Sequence, residues 1–413
     1  MSDRPRGGER VVLVHVNFPA GKMAEDFEEF KELAVSAGAK IVAEITSTRS
    51  APESKYFVGS GKAEEICDTV RSQKAQLVLF NHVLSPAQER NLEKLCQCRV
   101  LDRTGLILDI FAQRARSFEG NLQVELALLK HLSTRLIRGW THLERQRGGI
   151  GLRGPGETQL EVDRRLIRNK IKLISARLAK IRKQRAQGRR ARRKAIVPTV
   201  ALVGYTNAGK STLFNRLTGA EVYAANQLFA TLDPTLRRVD FPKGGGFILA
   251  DTVGFIRHLP HDLIDAFHAT LEEVSEADLL LHVVDAQDDN KDLHMEQVDS
   301  VLETIGAREV PRLLVYNKID LCPALSPKVD RNDDHHPRRV LISSTKNLGI
   351  SELMNAIAEL LGRDFVIQEI TLTARQSKQR AQLYDRDAVL AENIDEDGNY
   401  HLTVRLPRNE VEG

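Results

Sequence analysis

An α/β protein of several domains is predicted by three features of the 413-residue chain. A GxxxxGK[ST] loop stands between an apolar strand and a helix, strand and helix signals alternate on both sides of it, and two heptad-spaced apolar seams flank a glycine-rich break. These features divide the chain into an α/β domain over 1–115 and a long antiparallel helical hairpin over 116–195. A phosphate-loop domain over 198–362 and a small C-terminal α/β module over 363–413 complete it.

Composition sets the class. With 42% hydrophobic and 28% charged residues the chain can bury several cores. Residues 1–10 carry no apolar segment, and the longest apolar runs, such as Leu279 to Val284, are of strand length. A cytoplasmic location without membrane insertion is therefore expected, and a monomer. Cys67, Cys96, Cys98 and Cys322 have neither disulfide-framework nor zinc-ligand spacing. The net charge of +4 is unevenly placed, because Asp163 to Lys194 holds fifteen Lys/Arg against the single acid Asp163. Such a polarised chain points its basic element at a polyanion.

In the first domain, Val11 to Val16, Lys40 to Ile45 and Gln76 to Phe80 read as strands. They alternate with helical stretches at Met23 to Ala37, Ala63 to Ser72 and Pro86 to Cys96, giving a parallel or mixed sheet that ends near Gln113. Gly59-Ser60-Gly61-Lys62 resembles a second phosphate loop. Tyr56 stands where the motif needs its first glycine, however, and Ala63 follows Lys62, so a helix entry with Ser60 or Gly61 near the N-cap is the favoured reading.

Leu122, Leu129, Leu136 and Leu143 recur every seven residues, with Leu126 and Trp140 four after the first and third. Leu160, Ile167, Ile174 and Ile181 repeat the spacing, with Ile171 and Leu178 four after the middle pair. Each seam is roughly 32 Å long as a helix, which suits an antiparallel hairpin. Its tip, Gly148 to Gly156, has more glycine than a helix connection needs. A plain turn is one reading; the other is bare backbone that approaches RNA closely, with Arg145, Arg147, Gly149, Arg153, Gly154, Arg164, Arg165 and Arg168 as candidate contacts. Aromatics other than Trp140 are scarce nearby, so phosphate and shape contacts are expected. Gln184 to Lys194 loses the apolar stripe and reads as a linker.

The phosphate loop is Gly204-Tyr205-Thr206-Asn207-Ala208-Gly209-Lys210-Ser211, with Thr212 continuing into the helix. Its backbone N–H groups cradle phosphates, Lys210 reaches the outer phosphates, and Ser211 ligates Mg²⁺ directly. Leu236 to Phe241 and Gly246 to Asp251 read as a hairpin ending in Asp251-Thr252-Val253-Gly254. Asp251 is placed to hold the Mg²⁺ water shell and the Gly254 N–H to meet the γ-phosphate. In Phe229-Ala230-Thr231-Leu232-Asp233, Thr231 is the candidate switch residue reaching Mg²⁺ when triphosphate is bound, with Thr235 as the alternative. Lys210, Thr231 and Gly254 are thus the candidate catalytic residues.

After the strand Arg312 to Tyr316 comes Asn317-Lys318-Ile319-Asp320, whose carboxylate suits the N1–H and N2 amine of guanine. Val340 to Ile342 then leads into Ser343-Ser344-Thr345, whose backbone N–H groups suit guanine O6. In this order, each at a strand end, the motifs predict a Ras-like P-loop GTPase domain binding GTP and GDP. Phe255 stands where many GTPases place the glutamine that orients water, so slow intrinsic hydrolysis stimulated by a partner is expected. Asn207 resembles the asparagine that helps bind K⁺ in potassium-stimulated GTPases, which makes K⁺ a candidate beside the expected Mg²⁺.

Lys55 to Gly59, Leu84 to Leu92, Gly148 to Leu160, Phe229 to Thr235 and Asp251 to Arg257 together resemble the HflX family of translation-associated GTPases. The glycine tip on a basic hairpin ahead of the nucleotide domain is the specific part. The resemblance implies a factor that binds the large ribosomal subunit and its rRNA near the peptidyl transferase centre and separates stalled ribosomes under stress. It also implies an ATP-dependent RNA-remodelling activity, for which Gly59 to Lys62 offer weak support. A ribosome-assembly or tRNA-modification GTPase, and a signalling GTPase without RNA, are the alternatives.

Overall fold

The computed structural model describes residues 8–18, 23–138, 159–194, 197–219, 228–229, 231–242, 245–256, 268–362, 365–385, 388–395 and 398–407. Packing separates two units, one of residues 1–180, 227–232 and 257–267, the other of 181–226, 233–256 and 268–413.

The first unit opens with β1 (Arg10–Asn17), α1 (Met23–Ser36), β2 (Lys40–Thr48), α2 (Ser60–Gln73), β3 (Leu77–Phe80), α3 (Pro86–Cys96), β4 (Arg99–Asp102) and α4 (Arg103–Arg114). The four strands pair in parallel in the order β2-β1-β3-β4. Val12, Val14, Val78 and Phe80 leave the sheet buried, as the apolar runs of a parallel sheet require. α3 starts with a full capping box, Ser85 with Gln88, and Pro86 in its first turn. The Gly59 to Lys62 stretch forms the entry of α2 with Gly59 itself as N-cap, one residue ahead of the expected position, and Lys62 pairs with Glu65 at 2.7 Å.

β4 and α4 go beyond the elements read from sequence. A four-residue strand, RVLD, is too short to show a period, but Asp102 is the hinge of this corner. Its carboxylate is fully buried, caps α4 by accepting from Gly105 N at 2.8 Å, and accepts from Arg135 Nη2 at 2.8 Å. Arg135 also meets Glu89 of α3. Burial raises the Asp102 carboxyl pKa and lowers that of the Arg135 guanidinium to about 10.

Arg135 belongs to α5 (Phe118–Arg138), the first arm of the hairpin; the second is α6 (Gln159–Lys194). Leu122, Leu126 and Leu129 are buried on one arm, Ile174 and Leu178 on the other, and Lys170 Nζ meets Glu125 Oε1 at 2.6 Å. Trp140, Leu143 and the glycine tip lie outside the described residues. The expected linker at Gln184 to Lys194 is corrected: α6 runs through it to Lys194. Arg, Lys, Gln and Ala are strong helix formers, and one glycine, Gly188, costs only about 1 kcal/mol in a helix interior.

The second unit carries a seven-stranded sheet in the order β10-β11-β9-β8-β5-β7-β6. Its elements are β5 (Thr199–Val203), α7 (Lys210–Thr218), β6 (Thr235–Asp240), β7 (Gly246–Asp251), α8 (His268–Ser275), β8 (Leu279–Asp285), α9 (Lys291–Thr304), β9 (Arg312–Asn317), β10 (Lys328–Arg331), β11 (Pro337–Leu341) and α10 (Ile350–Gly362). β11, β9, β8, β5 and β7 run parallel, and the edge strands β10 and β6 antiparallel. Val200, Leu202, Leu281, Val283, Leu313 and Val315 form its core with Phe214 and Phe247.

The chain ends in β12 (Phe365–Leu372), α11 (Ser377–Asp385), β13 (Val389–Ile394) and β14 (Tyr400–Pro407). They form an antiparallel sheet of order β12-β14-β13 over a small core of Leu372, Leu402 and Val404. Among the described residues, no helix is long and apolar enough to cross a membrane.

Candidate nucleotide site

The sheet of the second unit delivers its chemistry at the carboxyl ends of parallel strands, where open α/β sheets place ligands. β5 leads into the loop Gly204 to Gly209, β7 ends in Asp251, β9 in Asn317, and β11 is followed by Ser343. Asn207 takes a left-handed backbone, φ 61°, which asparagine tolerates better than most residues. Gly209, φ 92°, directly precedes α7, and a Cβ there would run into Asn317 Nδ2. The loop curls around Lys210, whose Nζ donates to Gly204 O at 3.1 Å and Tyr205 O at 2.7 Å. Burial lowers the pKa of this ammonium to about 8, and the nearby Asp251 carboxylate opposes the shift.

The segment after β7 closes over the loop by backbone pairing. Thr206 N donates to Phe255 O at 2.9 Å and Phe255 N to Gly204 O at 3.2 Å. Gly254 lies so near that a Cβ on it would stand 2.8 Å from Thr206 Cγ2 and 3.0 Å from Lys210 Nζ. Thr252 donates its hydroxyl proton to Leu202 O, and the Phe255 side chain is buried. Asp251 is fully buried, and Ser211 is the second residue of α7. Hydroxyl and carboxylate make an all-oxygen donor set, the kind that suits Mg²⁺.

Asn317 welds the remaining parts together. Its Nδ2 donates to Ala208 O at 3.0 Å, while its Oδ1 accepts from Ser344 N at 3.0 Å and Ser344 Oγ at 2.9 Å. Lys318 is left-handed, φ 65°, and donates to Asp285 Oδ2 at 2.7 Å. Ile319 begins a short 3₁₀ turn that leaves Asp320 exposed. Arg216 of α7 donates to Ser344 O at 3.0 Å and Thr345 O at 3.2 Å, a brace with no sequence signal. The loop, Lys210 to Thr212, Asp251 to Gly254, Asn317 to Asp320 and Ser343 to Thr345 thus all belong to one unit.

Thr231 belongs by packing to the first unit. It is buried, as are Leu228, Phe229 and Leu232 beside it. The Phe229 ring packs edge-on against Phe111 of α4, centroids 4.7 Å apart, and Leu228 N donates to Ser36 Oγ of α1 at 3.0 Å. Ala230 lies outside the described residues. Asp233 is half-buried, and Thr235, the alternative to Thr231, opens β6 opposite Asp251. Of the candidate RNA contacts, Arg164 is half-buried and Arg165 and Arg168 are exposed on α6; Arg145, Arg147, Gly149, Arg153 and Gly154 lie outside the described residues.

Three family models match the chain in order: a GTP-binding GTPase N-terminal region over 24–112, a GTP-binding GTPase middle region over 114–192, and a 50S ribosome-binding GTPase over 199–318. The chain is 58% identical over 407 residues to the GTPase HflX of Escherichia coli K12, spanning 98% of this chain and 96% of that one. It is 46% identical over 398 residues to the GTPase HflX of Caldanaerobacter subterraneus, spanning 96% and 91%. A crystal structure of a Sulfolobus solfataricus GTP-binding protein with GDP matches at 24% identity and a TM-score of 0.46 over 85% of this chain and 98% of that one, too loosely to bear on the site. An α/β chain with a P-loop GTPase domain and full-length identity of this order belongs to the HflX family of GTPases and hydrolyses GTP.

Proposed function

We propose that this GTPase binds the large ribosomal subunit through its basic hairpin, separates stalled ribosomes into subunits, and uses GTP hydrolysis to leave. The observation that carries the reading is α6. Its sequence carries fifteen Lys/Arg, and Arg168, Lys172, Arg177 and Lys180 are exposed on the helix that buries Ile174 and Leu178, a basic surface of the kind that binds phosphates. The family model described as a 50S ribosome-binding GTPase supports the same partner.

Within the site, Gly204 to Thr212 hold the phosphates, Asp320 reads guanine, and Ser343 to Thr345 close the base edge. Ser211 and Asp251 would hold Mg²⁺, which neutralises charge developing between the β- and γ-phosphates when bound. Thr231 is assigned as the switch residue, and Asn207 as the residue toward K⁺. The Gly254 N–H and the Lys210 ammonium stabilise the transferring γ-phosphoryl group. Phe255 offers no polar atom to orient water, because its side chain is buried and its backbone is paired with the loop. The protein alone therefore hydrolyses slowly, and the ribosome supplies the missing order.

Steady-state GTP hydrolysis by the purified protein, alone and with large ribosomal subunits, tests this. Stimulation of about a hundredfold or more is expected, since gains of this size follow when a partner completes a GTPase site. No stimulation by large subunits, with stimulation by precursor particles or tRNA instead, would move the assignment to assembly or tRNA modification.

A further inference from the structure

The turn between β8 and α9 is tied to both ends of the nucleotide site. At one end the Tyr205 ring of the phosphate loop lies nearly parallel to the His294 imidazole, with centroids 3.9 Å apart and planes 12° from parallel. His294 stands in the first turn of α9, and its Nδ1 meets Asp288 Oδ2 at 2.5 Å. Asp288 Oδ1 accepts from Asn290 N at 2.9 Å, so the imidazole is fixed by the turn it grows from. At the other end, Asp285 Oδ2 accepts from Lys318 Nζ at 2.7 Å and Ala286 N donates to Asn317 O at 2.9 Å. One short segment, Asp285 to His294, thus grips the phosphate loop through a ring and the base-reading element through an ion pair and a backbone bond.

The opposite side of the loop is held differently. Tyr205 is bridged to Phe255 by backbone pairing, through bonds that lie along the chain. The loop is otherwise fastened at its backbone oxygens, Ala208 O by Asn317 Nδ2 and Gly204 O and Tyr205 O by the Lys210 ammonium. The ring stack adds a side-chain contact to these, at the residue next to Gly204. We infer that Tyr205 and His294 are positioning residues of the GTPase site, locking the phosphate loop to the turn that holds Lys318 so that guanine recognition and phosphate binding reinforce each other. The inference rests on the nucleotide reading of this site given above. Neither side chain is asked to touch the reacting atoms, so the lock governs how long nucleotide stays rather than how fast the bond breaks.

The test is release of a fluorescent GDP from the full-length protein, followed by stopped flow, together with single-turnover GTP hydrolysis. Tyr205→Ala and His294→Ala are each expected to release GDP about tenfold faster, the size of effect an aromatic pair can carry. The double variant should release no faster than either single one, because both remove the same contact. Tyr205→Phe, which keeps the stack, should restore slow release, and hydrolysis of bound GTP by His294→Ala, whose residue lies outside the phosphate loop, should stay within about twofold. His294→Phe, which keeps a ring but drops the Asp288 contact, provides a second comparison if Tyr205→Ala does not fold, and should release more slowly than His294→Ala. Unchanged release in Tyr205→Ala or His294→Ala, additive effects in the double variant, or a Tyr205→Phe protein as leaky as Tyr205→Ala would overturn the lock. Wild-type protein unable to retain the fluorescent GDP would overturn the nucleotide reading itself, and the lock with it.

Discussion

Asp320→Asn is expected to weaken GTP binding by about a thousandfold or more and to admit xanthosine triphosphate in its place. The carboxylate is matched to two donors on guanine, N1–H and the N2 amine, and a site built for donors discriminates by about 10⁴ to 10⁵ against a base that lacks them. An asparagine amide presents one acceptor and one donor. That pair fits xanthine, whose C2 carbonyl replaces the amine, and leaves guanine facing an N–H it cannot accept. The exchange is isosteric and Asp320 is exposed, while its neighbours are anchored independently by the Asn317 and Lys318 contacts, so the fold should be unaffected. Competition of GTP and xanthosine triphosphate for a fluorescent nucleotide measures the reversal. Equal GTP affinity in wild type and variant would remove Asp320 from base recognition.

Lys210→Met is expected to move nucleotide affinity and intrinsic stability in opposite directions. Charge-assisted hydrogen bonds are worth about 1.5–3 kcal/mol each. Loss of the ammonium from the outer phosphates should therefore cost GTP affinity at least a hundredfold or so. Without nucleotide the same ammonium is a burden: its pKa is lowered to about 8 from 10.5, chiefly by burial. At neutral pH that difference corresponds to roughly 3 kcal/mol of destabilisation. Between pH 8 and 10.5 the unfolded chain holds a proton that the folded one has lost, so wild-type stability should rise with pH across that window. The methionine variant, which fills the same space without charge, should unfold at higher temperature at pH 7 and lack that rise. Thermal unfolding of both proteins without nucleotide at pH 7 and pH 9.5 checks the sign; a less stable variant at pH 7 would contradict it.

The parts of the site nearest to regular structure were the most legible in the sequence. Val200 to Val203 is a continuous apolar run and Leu279 to Val284 one broken only by the buried His282, because their strands are covered on both faces, and each delivers a short polar signal at its end. The heptad positions Ile174 and Leu178 are buried as their spacing implies. What escaped has no local period. β4 is four residues long, and its importance lies in Asp102 meeting Arg135, 33 residues away. The arginine-rich tail of α6 shows no apolar period in the sequence, yet the helix continues through it to Lys194. Phe229 read as part of a nucleotide switch from its place between motifs, but where its ring rests, on Phe111, is a tertiary fact. The Tyr205 to His294 stack joins positions 89 residues apart that carry no shared pattern.

The central claim is that nucleotide state governs hold on the large ribosomal subunit. A two-state factor can be switched by GTP only to the extent that its partner binds the two states unequally. Co-sedimentation of the full-length protein with large subunits, titrated with GDP or with a non-hydrolysable GTP analogue at one fixed salt concentration, measures that inequality directly. The account predicts affinity at least about tenfold higher with the analogue, within the usual range of coupling between two sites. Equal affinity in the two nucleotide states would contradict it.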